Sequence, residues 1–247
     1  MDDKTYLDYL DADHRRLRSV VAGALGEPVP SCPGWTGADL AGHVAEVYLH
    51  KTETMRRGAE PEPWPPDLGR DPLAALDGAY RELTSEFAVR EPADHSVIWY
   101  TPDQTVGFWM RRMAFETVIH RVDAELAAGV TPEPIPAELA VPGIDEVLVC
   151  MLAFAASEYP EYLADQLASC DGDTVRIDVP EASWLVRLGP DVVTVERGQA
   201  DAEAVVRGSA DAALRWLWRR AGNEVVELDG NRGAVGKLHG LLGVATQ

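Results

Sequence analysis

The 247-residue chain carries 22 Lys and Arg against 41 Asp and Glu, a formal net charge of −19. That balance excludes general attraction to DNA, RNA or an anionic membrane surface, each of which needs a basic footprint. The acidity is a coat rather than a tail, with 13 basic against 22 acidic residues up to position 130 and 9 against 19 beyond it.

At about 150 residues per domain the length predicts a little under two domains. Tyr6, Leu7, Leu10, Leu17, Val20, Val21 and Leu25 recur at helical spacing and predict a first helix over about 4–24. Thr36 is placed as the N-cap of a second, with Asp39 in the capping-box position and Arg57 or Gly58 at its end. A third is expected from Pro72 to about Arg90, and a fourth from Val106 to Ala128, stopped by Gly129. Four helices with one apolar face each bury those faces against one another, so residues 1–130 read as a four-helix bundle. The proline-rich stretch 131–136 marks a linker, and one more helix is expected over about 143–168. From there the pattern changes to alternating runs around Val175–Val179, Trp184–Leu188, Val192–Val195, Ala204–Val206 and Val225–Leu228. With helices near 210–221 and 232–243, residues 131–247 read as a small α+β domain.

Cys32, Cys150 and Cys170 are too few and too scattered for a disulfide framework and fit a reducing cytosol. Met1-Asp2-Asp3-Lys4 lacks the basic-then-apolar pattern of a secretory leader, and no apolar run is read as long enough to span a bilayer. A cytoplasmic, soluble protein is the expectation.

The chemistry concentrates on two helices. Glu116 and His120 are four residues apart, and at about 100° per residue they project from one face, which Met113 marks as inward. His43 lies on the inward stripe of the second helix among Leu40, Val44 and Val47. Two nitrogens and one oxygen from facing helices are the donor set of a catalytic zinc site with a position left open. The same residues also suit a hydrogen-bonded core histidine and an intrahelical Glu–His pair. Asp123, one turn beyond His120, is either an acid that orients a ligand or a solvated helix residue. His14 reads as solvent-facing, His50 as pointing away from His43, His95 as a loop residue and His239 as surface or packing. Arg219 and Arg220 follow Trp216 and Trp218 at a helix C-terminus, where they favour the dipole or hold an anionic substrate. No phosphate-cradling glycine loop, dinucleotide fingerprint, nucleophile elbow or Cys-x-x-Cys pair is present.

The stretch Pro30-Ser31-Cys32-Pro33-Gly34-Trp35-Thr36 with Asp39-Leu40-Ala41-Gly42-His43-Val44 resembles the signature of the mycothiol-dependent maleylpyruvate isomerase family of actinobacteria. Ala204-Val205-Val206-Arg207-Gly208, Leu214 to Arg220 and Leu228-Asp229-Gly230 are similar to its second domain. The resemblance implies a DinB-like N-terminal bundle and a small, sterol-carrier-like α+β C-terminal domain. It implies zinc held by His43, Glu116 and His120, mycothiol as thiol cofactor, and an arginine of the second domain that matches Arg220 best. Arg219 stands where the family often has a small residue, which leaves the register of that arginine open. The implied reaction is cis–trans isomerisation of a maleylpyruvate-like acid, a small carboxylate-bearing electrophile. Mycothiol S-transfer and non-catalytic, metal-stabilised binding are the alternatives.

Overall fold

The structure, a computed structural model, describes residues 1–246. The chain divides into two compact units, Met1–Glu133 and Pro134–Gln247.

The first unit holds α1 (Asp3–Val21), α2 (Gly37–Arg57), α3 (Pro72–Ala88) and α4 (Val106–Ala127), with α1 packed along α4 and α2 along α3 and α4. Each begins at a side-chain cap: Asp2, Thr36, Asp71 and Thr105 each accept a first-turn amide. Thr36 and Asp39 form a reciprocal capping box, and Gly58 closes α2 in the left-handed conformation at φ 64°. The loop before α2 is built by sequence chemistry. Trp35 N–H donates to the Cys32 carbonyl across Pro33-Gly34, with Gly34 at φ 89°, as a turn with proline then glycine requires. Gly37 then passes so close to the turn that follows α1 that a Cβ would stand 2.2 Å from the Ala24 carbonyl oxygen. Those two glycines lock the Pro30–Trp35 loop against the start of α2.

Helix α4 is buried on all sides, with only Arg111 and Leu126 partly exposed. It therefore carries charges inside: Arg121, Glu125 and Asp123 are all enclosed. Arg121 donates to Asp13 on α1 and to Glu125, and Glu125 also accepts from Arg16. The same pair reaches the chain beyond the helix, since Glu125 accepts from the Glu133 amide and Arg121 donates to the Glu133 carbonyl. These bonds hold 131–133 to the bundle, so the division falls three residues past the expected position 130.

The second unit begins with α5 (Ala137–Asp145), which continues through a π-helical stretch, Glu146–Ala153, into α6 (Phe154–Glu158). Helix α7 (Pro160–Leu167) follows a break. The helix expected over 143–168 thus starts at 137, after Pro136, and is interrupted at Tyr159, whose φ −134° and ψ 48° reflect the bar that Pro160 sets against helical backbone before it. By length and composition Ala137–Glu158 is long and apolar enough to cross a membrane, against the expectation of no such run. Half of its apolar window is buried within the protein, as in a core helix.

Strands β1 (Asp173–Val179), β2 (Ala182–Leu188), β3 (Val193–Arg197), β4 (Ala204–Arg207) and β5 (Glu227–Gly230) form one sheet in the order β3-β2-β1-β4-β5. Only β1 and β4 run parallel; Ile177 faces Trp184 on one side and Val206 on the other. Helices α8 (Ala210–Leu217) and α9 (Arg232–Ala245) pack on β1 and β4. Val225, expected to open the last strand, lies instead in a 3₁₀ turn, Asn223–Val225.

Candidate metal centre

His43 on α2 and Glu116 and His120 on α4 bring their donor atoms together, all within 4.8 Å of one another. A single oxygen, Glu116 Oε1, faces both imidazoles: His120 Nε2 at 3.1 Å and His43 Nε2 at 3.4 Å. The other carboxylate oxygen, Oε2, is held by the Arg112 guanidinium one turn back on the same helix. His120 is fixed from behind, its Nδ1 lying 2.9 Å from Asp123 Oδ2. With the proton on Nδ1 toward that carboxylate, the lone pair of Nε2 points at the centre. Asp123 is itself fully buried and is steadied by the loop before α2, where Ser31 Oγ donates to its Oδ1 and Cys32 Sγ lies 3.8 Å from Oδ2. Trp35, from the same loop, leans on His43 with ring centroids 4.8 Å apart.

These residues fit a tetrahedral cation. Donors at zinc's usual bond lengths of about 2.0–2.1 Å stand roughly 3.3 Å apart around a tetrahedron. A simple ion pair requires one histidine, whereas here two imidazoles converge on one oxygen and one of them carries a buried carboxylate behind it. Two nitrogens and one monodentate oxygen leave a fourth position for a further ligand.

Electrostatics in the bare protein follow from this crowding. Burial alone would raise the Glu116 carboxyl, but Arg112 and His120 hold it well below the usual range. Burial likewise acts to lower His120, yet Glu116 and the Asp123 hydrogen bond carry it up to about 9. Next to Arg112, Lys51 is pushed down to about 8 by burial and by that guanidinium, with its ammonium 4.8 Å from the Trp109 ring centre.

Around the triad and beyond it, the other candidate side chains take definite places. Asp123 is fully buried beside His120, not solvated. His14 is not solvent-facing: it is 5% exposed and stacked at 3.6 Å on Tyr80, because α3 closes over that face of α1. His50 pairs with Glu60 and stands edge-on to Trp64. His239 packs on Trp216, with ring centroids 3.9 Å apart and the rings tilted by 37°. In the second unit Arg219 occupies the left-handed position after α8 (φ 59°), where its amide and that of Arg220 close the helix onto the carbonyls of Trp216 and Arg215. A small residue, above all glycine, is what such a position favours. Arg219 lies beside Gly243 of α9, and the Arg220 guanidinium folds back onto the Trp218 carbonyl at 2.8 Å. Arg112 was missed, although its i,i+4 spacing to Glu116 is visible in the sequence; Ser31 and Cys32 reach Asp123 only through the loop's fold.

Residues 7–125 match the family model of the mycothiol maleylpyruvate isomerase N-terminal domain. The first unit belongs to this family. A crystal structure of the mycothiol-dependent maleylpyruvate isomerase aligns over 94% of this chain and 95% of its own, at 16% identity and a TM-score of 0.64. A histidine-to-alanine mutant of a mycothiol-dependent maleylpyruvate isomerase aligns over the same shares at 13% identity and a TM-score of 0.61. The mycothiol isomerase fold therefore extends over nearly the whole chain. A search of curated proteins finds no match.

Proposed function

We propose that the protein is a zinc- and mycothiol-dependent enzyme of the maleylpyruvate isomerase type, acting on a small, carboxylate-bearing electrophile. The observation that carries this reading is the convergence of His43, Glu116 and His120 on one point, with Asp123 behind His120 and Arg112 withholding one Glu116 oxygen. When bound there, zinc would keep the cofactor's coordinated thiol deprotonated at neutral pH, as a thiolate able to add to an electron-poor double bond and, after rotation about the resulting single bond, to leave again with the trans double bond restored.

The chain's own residues do the rest. His43, Glu116 and His120 hold the cation, and Asp123 keeps the Nδ1 proton of His120 so that Nε2 stays a ligand. Arg112 keeps Glu116 ionised and monodentate. Arg220 is assigned to the substrate carboxylate, which a guanidinium holds through two parallel hydrogen bonds, and to the negative charge that develops on it.

S-transfer of mycothiol uses the same site without the return of the thiol, and a binding protein uses it without turnover. Metal analysis of the purified chain, paired with a mycothiol-dependent assay on maleylpyruvate, tests all three. Zinc near one per chain and turnover that leaves free mycothiol constant support the isomerase; stoichiometric thiol consumption identifies the transferase. Retention of metal and turnover by His43→Ala would sink the site assignment.

A further inference from the structure

The two helices that carry the triad also carry a pair of cations. His43, Val47 and Lys51 recur every four residues along α2, and Trp109, Arg112 and Glu116 share a stripe of α4. Lys51 thus stands two turns, about 12 Å of rise, beyond His43. Its stem leaves the backbone from a Cβ tilted toward the helix N-terminus, which is the His43 end. The ammonium lies 4.8 Å from the Trp109 ring centre and feels the charge of Arg112, one turn further along α4. Trp109 and Arg112 are both buried.

Among the described residues no carboxylate lies within ion-pair distance of Lys51, although the sequence has 41 to offer. The two acids whose charge reaches it are engaged elsewhere. Glu60 pairs with His50 Nε2 at 2.9 Å, while Glu116 gives Oε2 to Arg112 and turns Oε1 to the two imidazoles. What Lys51 does have is uncharged: the Trp109 face and His50 Nδ1, which accepts from the ammonium at 3.2 Å. His50 stays neutral because burial and Lys51 itself hold it down to about 4. These contacts leave a donor of the ammonium over. Two neighbouring cations drawn out of water, one of them without a counter-ion, are costly until an anion joins them.

We infer that Lys51 is a specificity-determining residue, its ammonium receiving one carboxylate of the electrophile so that the site selects a dicarboxylate over a monocarboxylate. The inference rests on the reading above, that a carboxylate-bearing electrophile is the substrate, and names a residue that grips it. A carboxylate at a cation that has shed much of its water is held more firmly than at a solvated surface lysine. Arg112 adds attraction from the side without releasing Glu116.

The test is calorimetry on the zinc-loaded full chain with maleate, a cis-dicarboxylate, and with isocrotonate, in which a methyl replaces one carboxylate. The wild type is expected to prefer maleate. Lys51→Met keeps the stem over Trp109 and removes the charge. It should weaken maleate by about 10- to 100-fold, the range for a hydrogen bond to a charged group, and leave isocrotonate within about twofold. Lys51→Arg should restore most of the preference. Zinc content should be unchanged, and the melting temperature of ligand-free Lys51→Met should hold or rise, because no ion pair is broken. No preference in the wild type, equal weakening of both probes, or a lower melting temperature with the maleate preference intact would each overturn the assignment. Mycothiol-dependent turnover by the wild type is scored separately. Turnover together with an unaltered Lys51→Met removes this inference alone, whereas absence of turnover removes the functional reading and leaves Lys51-dependent maleate binding as an anion site without that reaction.

Discussion

His120 is a single imidazole with two employments. Its Nε2 faces the cation position and its Nδ1 faces Asp123. Substituting Asp123→Asn keeps the shape but removes the charge that holds the tautomer, and zinc affinity should fall by about 10- to 100-fold. Competition with a chromophoric chelator measures this; unchanged affinity would mean that Asp123 serves packing only. His14 gives a second residue-scale prediction. Burial holds it down to about 4, whereas in the unfolded chain it titrates near its ordinary 6.5. Between those values the unfolded state binds the extra proton, so the stability that depends on neutral His14 is complete above pH 6.5 and is lost as pH falls toward 4. At pH 5 the loss is about 2 kcal/mol. His14→Phe retains a ring against Tyr80 and should not show that decline in urea titrations at pH 7 and pH 5. Spacing put Glu116 and His120 on one buried face and His43 on a neighbouring helix, where the fold brings the three together, whereas His14 misled. Its neighbours in sequence, Asp11 to Arg18, are mostly polar, and the rings that bury it, Tyr48 and Tyr80, lie far away along the chain.

Among elements, α4 shows how a helix without a solvent face is kept intact. Arg121 is joined to Asp13 and Glu125, and Glu125 also receives Arg16. Removing one member leaves the others charged and enclosed. Arg121→Met is therefore expected to cost about 3–5 kcal/mol in chemical unfolding, far more than the loss of an exposed pair such as Lys4–Asp8. A cost below 1 kcal/mol would show that Glu125 and Asp13 find other partners. Most elements were legible because their signals are local: Thr36 and Asp39 announce α2, Gly58 ends it, and Val175 and Ile177 alternate in β1. The break at Tyr159 was also written in the sequence, in Pro160, but an apolar pattern running across it masked the signal. The π-helical stretch Glu146–Ala153 leaves no residue signature that periodicity detects, because its apolar residues run almost unbroken.

For the whole molecule, the net charge of −19 sets the solvent-dependent behaviour. Self-repulsion destabilises the compact state and is screened by salt. The melting temperature should therefore rise between 10 mM and 150 mM sodium chloride, and the association rate of a carboxylate substrate should rise with it. A basic, electrostatically steered site would show the reverse, and a falling rate on added salt would indicate a local positive field strong enough to dominate. Composition made this property readable without any fold. The outline of a bundle followed by an α+β unit was readable as well, from the change of period after about residue 170.

Helix α4 is enclosed on every side and carries two of the three donors. Its amides have no route to solvent short of wholesale unfolding, so their hydrogen–deuterium exchange should report the global free energy. A cation that binds only the folded form slows that exchange by the factor 1 + [L]/Kd, as ligand linkage demands. Exchange along Val106–Ala127, followed with and without zinc, would thus turn the helix into a gauge of metal affinity that requires no substrate and no assay.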